Sequence, residues 1–121
     1  MRAFDVVRGF EEAVARYNGA PYAVAVNSCT MALFLTLEWY KACGELPDVI
    51  GIPRRTYVGV AHSIRNVGWR VAFRDDNWRG AYRLSPLNVW DAARRFTSDM
   101  FVAIPTDLDK GPTTFDCLSF H

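Results

Sequence analysis

A short polar turn, Asn27-Ser28-Cys29-Thr30, separates the apolar run Tyr22-Ala23-Val24-Ala25-Val26 from a long apolar stretch that begins at Met31. A strand, a turn and a helix in that order place the first amides of the helix at the end of the strand. Those amides have no partners inside their own helix, and they lie at the positive end of its dipole. A phosphate at that point gains several hydrogen bonds and favourable charge together. The hydroxyls of Ser28 and Thr30 add two donors. The same residues also make an ordinary N-cap, and the local pattern leaves both readings open. Cys29 adds a third. A thiol at a helix N-terminus has its pKa lowered and becomes a nucleophile. A base to serve it is lacking nearby, because His62 falls inside a predicted helix and His121 is the terminal residue.

Two further positions can do chemistry. Asp91 directly follows the apolar run Leu87-Asn88-Val89-Trp90. In a parallel sheet, ligands bind at the carboxyl ends of strands. A partly desolvated carboxylate there needs a cation, supplied either by a ligand's protonated ring nitrogen or by Arg94 or Arg95 on the next turn. Tyr57 stands just past Pro53, at the end of another apolar run. Its face can stack on a flat ligand or serve ordinary packing.

These positions depend on the elements around them. Phe10, Ala13, Val14 and Tyr17 repeat at helical spacing, which predicts a helix from about Val6 to Tyr17, stopped by Asn18-Gly19. Tyr22–Val26 reads as a buried strand. Thr30 to about Cys43 is apolar nearly all round, so its helix is expected to be buried on most faces. Val49–Ile52 is a second strand. A helix capped by Thr56 runs through Val60 and Ile64 to Gly68, and Arg70–Arg74 is a third strand. Asp75–Ser85 reads as a loop, Leu87–Trp90 as a short strand and Phe101–Ile104 as another. Thr106–Thr114 reads as a polar turn, and Phe115–Ser119 as a last strand. The alternation predicts an α/β fold, a mostly parallel sheet flanked by helices.

Composition sets the outer bounds. The chain has 121 residues, half of them apolar, enough for one packed domain. The net charge of +1 gives no basis for nucleic acid or an acidic membrane surface as a partner. Three cysteines with no metal-type spacing indicate neither a disulfide framework nor a zinc site. A cytoplasmic location is the default reading. The N-terminus lacks the apolar core of a signal peptide, and no apolar run has a membrane-spanning length.

Taken in order, these pieces resemble the DegT/DnrJ/EryC1/StrS sugar aminotransferases, which are fold-type-I pyridoxal-phosphate enzymes. The likeness begins at Phe10-Glu11-Glu12 and runs through Ala15-Arg16-Tyr17-Asn18-Gly19. It is densest from Ala23 to Leu33. It continues at Thr56-Tyr57, Gly68 and Asp91-Ala92-Ala93, and ends at Leu118-Ser119-Phe120-His121. The resemblance implies pyridoxal 5'-phosphate as cofactor. It assigns its phosphate to Ser28, Cys29, Thr30 and Ser119, its ring face to Tyr57 and its ring nitrogen to Asp91. It further implies an amino donor, glutamate by expectation, a nucleotide-linked keto-sugar as acceptor, and a homodimer.

The chain departs from the family pattern in three places. Cys29 stands where the family usually has Gly. Arg94 stands where it usually has Gln or His against the cofactor's phenolic oxygen; a guanidinium can hold a phenolate. The stretch between Phe73 and Asp91 is short by about a strand and a helix, so a rearranged sheet is expected. The lysine that carries the cofactor in the family would follow Ser119 by about five residues, beyond His121. Residues 1–121 therefore read as an incomplete cofactor-binding large domain, expected to be inactive alone. Two other readings remain: a non-catalytic binding module derived from the fold, and a thiol enzyme using Cys29.

Overall fold

The computed structural model describes residues 2–45, 47–101 and 114–120. Three helices and five short strands follow in the order α1 (Ala3–Asn18), α2 (Cys29–Ala42), β1 (Val49–Pro53), α3 (Val58–Val67), β2 (Arg70–Arg74), β3 (Tyr82–Arg83), β4 (Val89–Ala92) and β5 (Phe115–Leu118). Each helix ends where the chain loses helical dihedrals. Gly19 and Gly68 cap α1 and α3 in the left-handed region, at φ 81° and 102°, where a side chain would be strained.

The core forms where α2 and α3 meet the strands. Leu33, Leu37 and Tyr40 recur along one stripe of α2. They pack with Val60, Ile64 and Val67 of α3, Ile50 and Ile52 of β1, and Tyr82, Leu84, Leu87, Val89 and Cys117. Fully burying one such aliphatic side chain is worth roughly 1.5–3 kcal/mol. The opposite face of α2 leaves Met31, Leu35 and Trp39 exposed. The expectation that α2 is buried on most faces is therefore corrected: the described residues cover one side only.

The described strands form two small sheets instead of one; two of their three pairings are parallel, consistent with an α/β fold. β1 and β2 pair in parallel, from Val49↔Arg70 to Pro53↔Arg74. β4 lies between β3, which is antiparallel to it, and β5, which is parallel. Gly51 and Ser85 join the sheets by reciprocal backbone hydrogen bonds of 2.8 and 3.1 Å. The Arg74 guanidinium reinforces that joint. It donates to the carbonyls of Gly51 and Arg83, at 2.6 and 3.2 Å, and to Ser85 Oγ at 3.2 Å. The compressed stretch after Phe73 thus turns back on itself, and β3 arises within a segment expected to be loop.

Residues 22–26 are extended but are not a strand. Tyr22 is 85% and Val24 80% exposed. A strand is made by its neighbour's hydrogen bonds, and no described strand lies beside this segment. Its amide at Ala25 is taken by Glu11 Oε2 at 2.7 Å instead. Phe101 lies in a turn, and the rest of the Phe101–Ile104 strand and most of the Thr106–Thr114 turn fall outside the described residues. No described helix is long and apolar enough to cross a membrane.

Candidate functional site

α2 starts at Cys29 because Ser28 caps it. The Ser28 hydroxyl oxygen accepts the Met31 amide at 3.1 Å, and the Ser28 carbonyl accepts the Ala32 amide at 3.0 Å. The second is the first bond of the helix proper, so the cap satisfies one orphan amide, that of Met31. The N-cap reading of Ser28 is thus observed, and the amides of Cys29 and Thr30 have no partner among the described residues.

Asp91 lies inside β4, one residue before its end, and is 7% exposed. Its carboxylate is held by neutral donors. Oδ2 accepts the Tyr82 hydroxyl at 2.8 Å, and Oδ1 accepts the Ala93 amide at 3.0 Å. The Cys29 thiol approaches Oδ1 at 4.0 Å and the Cys117 carbonyl at 3.6 Å. Among the described residues no cation pairs with Asp91, so the expected alternative of a salt bridge to Arg94 or Arg95 is not formed. The turn that opens α2 and the carboxylate of β4 therefore lie on the same side of the sheet and touch.

That contact decides the chemistry of Cys29. Burial pushes its thiol up to about 12, helped by the charges of Asp91 and Asp116. The expected lowering at a helix N-terminus is overturned, because desolvation and two nearby carboxylates outweigh a half-charge of helix dipole. Cys29 stays a neutral thiol at physiological pH, which removes the basis for a thiolate nucleophile. Cys117, buried beneath it on β5, is also shifted upward by burial.

Thr56 does not cap α3. Tyr57 holds the N-cap position without a side-chain cap, while Thr56 Oγ1 lies 2.7 Å from the Tyr82 hydroxyl. Tyr57 is 67% exposed. Its ring lies over Gly59, where an added Cβ would come within 2.5 Å of it. Arg94 is exposed on the turn after β4. Ser119 directly follows β5, whose Leu118 pairs with Ala92, so it stands beside the same end of the sheet as Asp91.

The structure thus brings Cys29 and Asp91 into contact. It places Ser28, Thr30, Tyr57 and Ser119 on segments adjoining them, and leaves Arg94 facing solvent. The sequence reading missed Tyr82 and the real partner of Thr56. Tyr82 and Leu84 alternate with Arg83, a two-residue period that hints at a strand within the polar stretch. Asp116, on β5, is also new. Burial raises it to about 6, against the opposing effects of Asn18 and Arg95. Asn18 adjoins it, yet neither Asp116 oxygen reaches hydrogen-bond geometry among the described residues.

A model of the DegT/DnrJ/EryC1/StrS aminotransferase family matches residues 2–103. The chain belongs to this family. The spore coat polysaccharide biosynthesis protein SpsC of Bacillus subtilis (strain 168) is 44% identical to it over 69 residues, which is 57% of this chain. The match spans only 17% of that relative's length. No solved structure matches the chain.

Proposed function

We propose that residues 1–121 are part of the cofactor-binding large domain of a pyridoxal-phosphate sugar aminotransferase. One observation carries this reading: Asp91, a buried carboxylate with no cationic partner among the described residues, touches the residue that opens a helix whose first two amides are untaken among those same residues. A buried negative charge calls for a positive one, and free amides at a helix N-terminus call for an anion. A molecule with a phosphate at one end and a basic ring nitrogen nearby satisfies both, and pyridoxal 5'-phosphate is such a molecule. The donor set present therefore fits the group.

When bound, the cofactor supplies an electron sink for negative charge on the carbon next to the transferred nitrogen. The chain's own residues do the rest. The amides of Cys29 and Thr30, with the hydroxyls of Ser28, Thr30 and Ser119, hold the phosphate. Asp91 keeps the ring nitrogen protonated by pairing with it. Tyr57 stacks on the ring, and Arg94 reaches the phenolic oxygen by turning inward from solvent. The acceptor is a nucleotide-linked keto-sugar, the donor is glutamate, and two subunits complete the site; family membership supports these three assignments. The 121-residue chain does not transaminate by itself. Lys41 is tied to the Val67 carbonyl at 2.8 Å, at the opposite end of α2 from the phosphate turn, and Lys110 lies outside the described residues.

The test is a fluorescence titration of the protein with pyridoxal phosphate. Thr30→Ala should weaken binding by about 1 kcal/mol or more, the worth of a hydrogen bond to a charged group. Asp91→Asn should weaken it further. Wild-type affinity in both variants would sink the assignment. Turnover of glutamate by the 121-residue chain alone, with a borohydride-fixed adduct on Lys41 or Lys110, would refute its inactivity.

A further inference from the structure

The two oxygens of Asp91 are used differently. Oδ2 is engaged by the Tyr82 hydroxyl at 2.8 Å. Oδ1 takes the Ala93 amide and, among the described residues, otherwise faces the weak Cys29 thiol at 4.0 Å, toward the start of α2. Tyr82 and Asp91 are direct cross-strand partners in β3 and β4, so their side chains lie on one face of the sheet. Tyr82 is 3% exposed. Its ring meets Trp78 edge-on with centroids 4.8 Å apart, and the Trp78 indole N–H is anchored on the Arg55 carbonyl at 2.9 Å. The phenol is therefore clamped from the side as well as at its tip.

The direction of the hydrogen bonds follows from chemistry. A carboxylate only accepts, so the Tyr82 proton points to Asp91. The phenol oxygen is then left to accept, and Thr56, 2.7 Å away, donates to it. Burial and the Asp91 charge both shift Tyr82 upward, which keeps it a donor throughout the physiological range. Every described group holding Asp91 is neutral. Such donors fix a carboxylate in place without cancelling its charge, whereas an arginine or lysine would have spent that charge.

We propose that Tyr82, itself held by Thr56, is a positioning residue that pins Asp91 by Oδ2 so that Oδ1 is presented, with its charge unspent, to the protonated ring nitrogen of the pyridine cofactor. The inference rests on the reading of Asp91 given under Proposed function. It adds a role for the compressed segment: β3 exists to bring a phenol to the carboxylate of β4.

The test uses the protein and 4-deoxypyridoxine 5'-phosphate, which has the ring and phosphate but no aldehyde, so that binding requires no lysine. Two quantities are read: affinity for the probe, and the pH at which the bound probe loses its protonated-ring absorption band. Tyr82→Phe should weaken binding about tenfold and move the loss of the band about one pH unit lower. Thr56→Val should move both in the same direction by less, and Thr56→Ser should restore wild-type behaviour. A purely structural Tyr82 would lower thermal stability and leave the band's pH profile in place. If Tyr82→Phe fails to fold, Thr56→Val decides, since it keeps the ring of Tyr82. An unchanged pH profile in the folded variants overturns the proposal. Failure of the underlying reading looks different: Asp91→Asn would then bind the probe like wild type with the same band, and the proposal would fall with it.

Discussion

The unit β1–α3–β2 and the segment from Tyr82 to Leu118 both make short strands beside α2, but different forces hold them. In the first, Ile50, Ile52, Val60, Ile64 and Val67 supply the contacts. Its buried hydroxyl, on Ser63, is satisfied four residues back by the Gly59 carbonyl at 2.9 Å. In the second, Asn88 and Asp91 are buried, Asp116 is half-buried with no partner among the described residues, and Tyr82 reaches across strands to Asp91. The apolar unit relies on non-directional burial. The polar segment relies on hydrogen bonds that are costly when unmade. Asp91, the carboxylate proposed to meet the ligand, lies in the second, where no cation among the described residues cancels its charge.

The comparison can be broken or sharpened by a graded set of changes. The largest effect is expected in the apolar unit. Ile64→Ala should destabilise the chain by about 2–5 kcal/mol in urea unfolding, the usual cost of such a cavity. It should leave the ring band of bound 4-deoxypyridoxine 5'-phosphate unmoved in the folded fraction. A shifted band would mean that the two regions are one coupled unit.

Arg74→Met comes next. It removes the guanidinium that bridges β1 to the Arg83–Ser85 turn, and about 2 kcal/mol should be lost, as for hydrogen bonds from a charged group. Amide exchange should quicken at Gly51 and Ser85 first. Uniform quickening across the chain would mean that the joint is not where the two regions meet.

A smaller effect is tied to pH. Asp116 has its folded value raised from 3.8 to about 6. The folded state therefore binds more protons than the unfolded state between those values, and stability falls as pH rises through that window. Asp116→Asn should abolish this slope and raise stability at pH 7 by on the order of 1 kcal/mol. A Tm that does not change between pH 4 and 7 in the wild type would contradict the burial of Asp116.

The smallest effect costs no stability at all. With its thiol pushed up to about 12, Cys29 should react with iodoacetamide at pH 7 far more slowly than the exposed Cys43. Faster alkylation of Cys29, mapped by mass spectrometry, would restore the thiolate reading.

Much of this was legible in the residues themselves. The helix starting after Ser28, the stops at Gly19 and Gly68, and the strands at Val49 and Arg70 follow from apolar period, caps and glycine dihedrals, which act within a few residues. The polar turn at Ser28-Cys29-Thr30 and the carboxylate at Asp91 stood out for the same reason: each directly follows an apolar run. Tertiary structure alone decided the rest. Residues 22–26 have the composition of a strand, and no described strand lies beside them. Thr56 has the chemistry of a cap and is drawn instead to a phenol 26 positions along the chain. The helix dipole at Cys29 favours a thiolate until two carboxylates and burial reverse it. Strand pairing, hydrogen-bond partners and desolvation depend on what distant segments bring alongside, and no local pattern carries that information.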